Sequence, residues 1–326
     1  MKILIVSGFL GAGKTRFITE LVKQTGRRFA IVENEFSSID LDSKILREDV
    51  RSKAEKVAEG LEIWELTEGC ICCSTTLDFT NSVMTIANTI DPEFLIIEPS
   101  GVGLPSRILS KLRNICYEQI GLLAPITIVD ANTYQRSRQD FANYFSNQVN
   151  HAGTVVLSKS EQLDSKDFAR IRSDLKLPAD VDFPTQHYDS WPKEDWEKLL
   201  DKELILESLD QAKISVGRRF RIQQAAAPKA LENFALTDPQ IASPDTLIAC
   251  LEILIRRACG HVVRAKGYVK TNQGYLRFDL VDGQYSVTGF SDEEDQRVVF
   301  IGENLRRDLL AELFGSTANL VSDNQE

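Results

Sequence analysis

The chain has 326 residues, 43% hydrophobic and 26% charged, the make-up of a globular protein with enough length for one large domain or two ordinary ones. Its formal net charge of −10 argues against general nucleic-acid binding, which needs a basic surface to neutralise phosphates. No apolar run reaches the ~18 residues of a membrane-crossing helix, and the six cysteines form no spaced disulfide framework. A reducing cytoplasm, with no membrane and no nucleic acid as partner, is the expected setting.

Residues 3–6 are a continuous apolar run suited to a buried parallel strand. They lead straight into a glycine loop, and the run is too short for a signal peptide. Beyond the loop, Phe17, Ile18, Leu21 and Val22 recur with helical spacing. Residues 28–33 and 61–66 read as strands, 77–90 as a helix, 94–98 as a strand and 107–115 as a helix. A strand is expected over 123–130, a helix over 134–148 and a sixth strand over 154–157. This alternation predicts an α/β fold with an open, mostly parallel sheet and helices on both faces.

Residues 163–177 continue as a helix, and 178–245 are mixed and rich in proline. The boundary is expected within 205–215, giving a first domain over 1–210 and a smaller α+β domain over 211–326. In the second, residues 244–259 read as an amphipathic helix. Strands follow over 262–270, 275–281, 284–290 and 297–301, and a helix over 305–314.

Gly8-Phe-Leu-Gly11-Ala12-Gly13-Lys14-Thr15 matches G-x-x-x-x-G-K-[ST] between a predicted strand and a predicted helix, the context that gives the motif meaning. Glycines let backbone N–H groups curl towards phosphate oxygens, and the helix adds its positive end. Lys14 then reaches the β- and γ-phosphates and Thr15 ligates Mg²⁺. Glu98 ends a buried strand in FLIIEPSG, placed to hold the Mg²⁺ shell or the attacking water; the competing reading is a capping or solvated acid. Ser158-Lys159-Ser160-Glu161 follows a late strand where a GTP-selective site usually presents N-K-x-D. The lysine and an acid are kept, so guanine reading stands beside the reading of an ordinary polar loop.

LTEGCICCS crowds Cys70, Cys72 and Cys73 into one loop between two predicted strands. Loops at the carboxyl ends of parallel strands share one rim, so this one is expected near the phosphate loop. Three thiolates make most of a tetrahedral site for Zn²⁺, Co²⁺ or Cu(I). Metal ligation ranks ahead of a redox pair and of an inert small-residue turn. His151, His187 and His261 are mutually distant in sequence and form no local metal motif, and Cys116, Cys250 and Cys259 read as core thiols.

GFLGAGKT, ENEF, EGCICCS and IIEPSG, in this order, resemble the CobW family of P-loop GTPases, grouped with the nickel GTPases of urease and hydrogenase maturation. HVVRAKGYV (261–269) and VVFIGENL (298–305) resemble that family's second domain. The resemblance implies a GTP-dependent metallochaperone or cobalamin-related insertase binding GTP/GDP, Mg²⁺ and Zn²⁺ or Co²⁺. Its partner would be a client metalloprotein or a corrinoid-dependent enzyme, and a homodimer is one open assembly. Position by position, it implies phosphate and Mg²⁺ roles for Lys14 and Thr15, an acid role for Glu98 and a metal triad of Cys70, Cys72 and Cys73. It places Lys159 and Glu161 at the guanine motif, and Glu33, Asn34, Glu35 and Asp40 in a switch loop.

This sequence departs from the family's pattern in three places. Ser37 stands where N-E-F is usually followed by glycine, Ser158 and Glu161 alter the guanine motif, and the histidine-rich tract of many members is missing. A small-molecule kinase using the same phosphate loop, and a nucleotide-gated scaffold with a structural zinc, are the alternative readings.

Overall fold

The computed structural model describes residues 1–33, 61–65, 76–116, 120–204, 231–281, 283–290 and 296–315. The chain divides into two compact units, Met1–Ala225 and Ala226–Glu326. The expected boundary at 210/211 lies outside the described residues, as do Asn34, Glu35, Asp40, Cys70, Cys72 and Cys73.

The first unit is built on β1 (Lys2–Gly8), β2 (Phe29–Glu33), β3 (Leu61–Glu65), β4 (Phe94–Glu98), β5 (Gly121–Leu122), β6 (Ile126–Asp130) and β7 (Thr154–Ser158). Their order is β3-β2-β4-β1-β6-β7, with β5 paired to the start of β1, and every pairing is parallel. The helices are α1 (Lys14–Thr25), α2 (Thr76–Thr89), α3 (Pro105–Leu112), α4 (Tyr134–Asp140), α5 (Ala142–Asn150), α6 (Ser165–Leu175) and α7 (Lys193–Asp201).

The period-two alternation of β1 divides the core between two faces. Leu4 and Val6 join Phe17, Ile18 and Leu21 of α1, together with Tyr188, Trp191 and Trp196. Ile3 and Ile5 join Phe79, Val83 and Ile86 of α2 and Ile108, Leu109 and Leu112 of α3. A third cluster sets Val155 and Leu157 of β7 against Phe145 and Val149 of α5 and Phe168 and Ile171 of α6. An apolar strand covered on both faces is what the continuous hydrophobic runs require.

The structure differs from the sequence reading in a few elements. The strand expected over 123–130 begins only at Ile126, because Pro125 has no N–H to give a ladder, and the two-residue β5 precedes it. The helix expected over 134–148 breaks at Phe141 (φ −128°, ψ 42°), whose ring stacks on Phe9 of the glycine loop at 5.0 Å. Helix α7 was unanticipated in a stretch where proline suggested irregular chain; Pro192 stands at its N-cap, where the ring does no harm.

The second unit holds β8 (Glu232–Thr237), β9 (His261–Thr271), β10 (Gly274–Val281), β11 (Gln284–Phe290) and β12 (Arg297–Glu303), ordered β11-β10-β9-β12-β8 and antiparallel throughout. Strand β8 was also not expected. Helix α8 (Pro244–Ile255) starts where predicted, with Ser243 Oγ accepting from the Thr246 N–H at 3.2 Å and proline in its first turn. It ends at Ile255 rather than Cys259. Its Leu247, Cys250, Leu251 and Leu254 pack with Phe278, Phe300 and Phe314 next to α9 (Arg307–Leu313). No described helix is long and apolar enough to cross a membrane.

Candidate nucleotide site

Parallel strands bring their carboxyl ends to one rim. Glu65, Glu33 and Glu98 occupy one rung across β3, β2 and β4, while Asp130 and Ser158 share a rung of β6 and β7. Gly8 ends β1 between these groups, flanked by β4 on one side and β6 on the other. The chain leaves β1 for β2 on one side and returns past it to β6 on the other. Such a switch point is where open α/β sheets bind ligands.

The loop after β1 is shaped by close approach. Gly8 has φ +149°, and a Cβ there would lie 2.4 Å from the Ile128 carbonyl oxygen. The Ala12 N–H donates to Phe9 O at 3.1 Å, and Gly11 and Gly13 take positive φ before α1 begins. The N-cap of α1 is Gly13, which has no side chain to cap it, so the first N–H groups of the helix remain directed at the loop interior. The buried Lys14 ammonium donates to Gly8 O at 3.2 Å, and Thr15 Oγ1 donates to Glu98 Oε1 at 3.1 Å. Ser158 donates from its buried hydroxyl to Ala12 O at 2.6 Å. Its side chain therefore holds the glycine loop from beneath.

The loop after β4 braces the same turn. Gln148 Nε2 donates to Gly101 O at 3.0 Å and Gly103 O at 3.3 Å, while its own carbonyl accepts from Thr127 Oγ1 at 2.8 Å. Thr127 and Ser7 share a hydroxyl–hydroxyl bond of 2.9 Å. A Cβ on Gly101 would come within 2.6 Å of the Leu10 backbone. Gly101→Ala is therefore expected to lower unfolding free energy by about 1–3 kcal/mol, the usual cost of overpacking. Because Leu10 must move, nucleotide affinity should fall as well. Urea unfolding and a nucleotide titration check this; wild-type values in both would contradict the close approach.

At the next loop, Lys159 adopts φ +51° and its ammonium pairs with Asp130 Oδ2 at 2.6 Å. Asp130 also accepts the Asn132 N–H at 2.8 Å. Glu161 lies beside Arg16 (3.6 Å) and His187 (3.5 Å), and Arg16 also reaches Asp189 at 2.9 Å. Burial pushes the Tyr188 hydroxyl up to about 12, only partly countered by Arg16, so it stays protonated. Burial likewise raises the Cys116, Cys250 and Cys259 thiols, which keeps them neutral and suits packing better than metal binding.

Sequence reasoning missed Arg16, Asp130, His187 and Asp189. Asp130 had a signal, an acid ending an apolar strand, as Glu98 does. Arg16, His187 and Asp189 had none, since their neighbourhood is made by segments distant in the chain.

Fold, switch point and loop define a P-loop nucleotide-binding protein. Residues 2–179 match the family model described as CobW/HypB/UreG, nucleotide-binding domain, and residues 231–318 match the cobalamin synthesis protein cobW C-terminal domain. The chain belongs to the CobW/HypB/UreG family. It is 32% identical over 211 residues to zinc chaperone CobW of Pseudomonas aeruginosa, covering 56% of this chain and 55% of that protein. It is 30% identical over 161 residues to zinc chaperone YeiR of Escherichia coli, covering 48% and 46%. The chain thus spans about half the length of the curated relatives it matches. Among solved structures, Zn(II)-bound YjiA GTPase from E. coli aligns over 97% of this chain and 98% of that one at 16% identity, TM-score 0.39. HypB from Helicobacter pylori in complex with nickel aligns over 65% and 87% at 18% identity, TM-score 0.40.

Proposed function

We propose that this protein binds and slowly hydrolyses GTP and couples its nucleotide state to Zn²⁺ or Co²⁺ held by Cys70, Cys72 and Cys73, for delivery to a client metalloprotein. The observation that carries this reading is the 3.1 Å contact between Thr15 Oγ1 and Glu98 beside the buried Lys14. A hydroxyl and a carboxylate meeting next to a phosphate loop are the hard oxygen donors that Mg²⁺ takes. Mg²⁺, when bound, neutralises charge on the β- and γ-phosphates. Backbone N–H groups of Gly8, Gly11 and Gly13 bind phosphate oxygens, with Ala12 holding the turn between them through its N–H on Phe9 O; Lys14 reaches the transferred phosphate, and Thr15 and Glu98 would hold the ion and orient water. Lys159 and Glu161 read the base, with Ser158 fixing the loop between them and the phosphates. Glu33, Asn34, Glu35 and Asp40 form the segment that responds to the γ-phosphate.

The metal half of the proposal rests on sequence position and kinship. Cys70 follows Glu65 by five residues, and Glu65 lies on the Glu33–Glu98 rung. Two relatives, 32% and 30% identical over 211 and 161 residues, are named zinc chaperones. That short separation in sequence from the end of β3 is what would couple a thiolate triad to the nucleotide.

The test is a Co²⁺ and Zn²⁺ titration of reduced protein without nucleotide, with GDP and with a non-hydrolysable GTP analogue. A thiolate–Co²⁺ charge-transfer band should appear, and Cys72→Ala should lose it while keeping GTP binding. Metal affinity should differ between nucleotide states by roughly 5–150-fold, and GTP affinity should respond to metal by the same factor. Equal metal affinity in every state would leave a structural zinc and end the chaperone reading.

A further inference from the structure

We propose that Glu161 and His187, oriented by Asp189, form a second binding site for a first-row divalent cation such as Zn²⁺, built from nitrogen and oxygen rather than thiolate. Glu161 comes from the loop after β7, and His187 and Asp189 from the turn before α7. One ligand atom from each of the three lies within 4.8 Å of the others. Acids alone would carry little; the histidine decides. His187 is only 7% exposed, and among the described residues its Nε2 has no hydrogen-bond partner while facing Glu161 Oε1 at 3.5 Å. Two ligand atoms ~2.0–2.1 Å from one tetrahedral zinc lie ~3.3–3.4 Å apart, so this pair already stands near ligand spacing.

The turn beneath is buried and hydrogen-bonded. Ser190 donates to His187 O at 2.7 Å, and Tyr188 and Trp191 are buried on either side of Asp189 and Ser190. His187 Nδ1 accepts the Asp189 N–H at 3.2 Å, which places the ring proton on Nε2 in the ion-free state. For a cation to bind Nε2, the ring proton shifts from Nε2 to Nδ1, which frees the Nε2 lone pair and breaks the Asp189 N–H bond to Nδ1. Asp189 Oδ2, 3.5 Å from Nδ1, is there to accept the new Nδ1–H. A carboxylate on the far nitrogen is the usual device for orienting a metal-bound imidazole. Imidazole with carboxylate favours Zn²⁺ and its neighbours over Mg²⁺, which prefers oxygen alone.

In the ion-free state the positive charge comes from Arg16, which spans Glu161 and Asp189 and is 60% exposed, free to swing outward. Arg16 directly follows Thr15. Cation binding therefore claims Glu161 and releases Arg16 next to the phosphate loop. On the proposed reading of Glu161 as the guanine acid, the cation antagonises GTP; the site itself does not depend on that reading.

The test uses the full chain carrying Cys70→Ser, Cys72→Ser and Cys73→Ser. With three histidines in the sequence, long-range ¹H–¹⁵N spectra resolve each ring. Zn²⁺ should move the His187 nitrogens and leave His151 and His261 in place, and Mg²⁺ should move none. His187→Ala removes a buried ring and risks unfolding, so exposed partners are varied instead. Glu161→Gln should weaken Zn²⁺ by about tenfold through loss of a charged ligand, and Arg16→Ala should tighten it. Unmoved His187 signals, or indifference to both substitutions, would overturn the site. Zn²⁺ should also weaken a fluorescent GTP analogue several-fold, an effect reduced in Asp189→Asn. Zn²⁺ on His187 with unchanged GTP affinity would overturn the antagonism and keep the site. No GTP binding even without Zn²⁺ would instead overturn the nucleotide reading.

Discussion

Lys14→Ala is expected to weaken GTP binding by roughly 100-fold, about 2.7 kcal/mol, the size of one or two charge-assisted hydrogen bonds to phosphate. The ammonium is buried under its own loop and donates to Gly8 O at 3.2 Å, so it is pre-placed where the β- and γ-phosphates would arrive. Among the described residues, the cations beside the loop are already turned to other partners. Arg16 is turned towards Glu161 and Asp189, and Lys159 towards Asp130. The fold should survive, because the loop is held from outside by Ser158 on Ala12 O and by the Gly101–Leu10 contact. Far-UV circular dichroism and thermal unfolding should match the parent while titration with a fluorescent GTP analogue shows the loss. Affinity retained within about threefold, less than a single hydrogen bond is worth, would remove Lys14 from the phosphate site.

Much of this site was legible because its parts are local. Strand, glycine loop and helix are consecutive in residues 2–25, and each obeys its own period. Glu98 could be read for the same reason, as an acid closing an apolar strand. What could not be read depends on contacts distant in sequence. Ser158 looked like a base contact, yet its hydroxyl is bonded to Ala12 O, which lies 146 positions away. The break at Phe141 has no glycine or proline to announce it; the ring of Phe9 is what it serves. The His187 ring meets Glu161 only because residues 187–200 fold back over α1. Proline at 178, 184 and 192 masked that return, since proline marks irregular chain as readily as a helix start.

That returning segment carries the second large prediction: Trp196→Ala should destabilise the first unit by about 3–5 kcal/mol, the usual cost of emptying a buried aromatic site. Trp196 is 0% exposed, and its ring centroid lies 5.2 Å from Phe17 and 5.0 Å from Trp191. Phe17 is three residues beyond Lys14 on the first turns of α1. The cavity therefore opens directly beneath the helix whose amino end is proposed to meet the phosphates, and GTP affinity should fall along with stability. One term works the other way. The Trp196 Nε1–H is buried without a hydrogen-bond partner among the described residues, so its removal relieves a penalty of roughly 1 kcal/mol and favours the lower end of the range. Trp196→Phe separates the two effects: it keeps an aromatic ring against Phe17 and drops the unsatisfied N–H, and should cost less than about 1.5 kcal/mol. Urea unfolding followed by far-UV circular dichroism measures both, since removing a tryptophan alters the fluorescence signal itself. If the alanine variant is as stable as the phenylalanine one, packing of α7 under α1 is not what supports the loop.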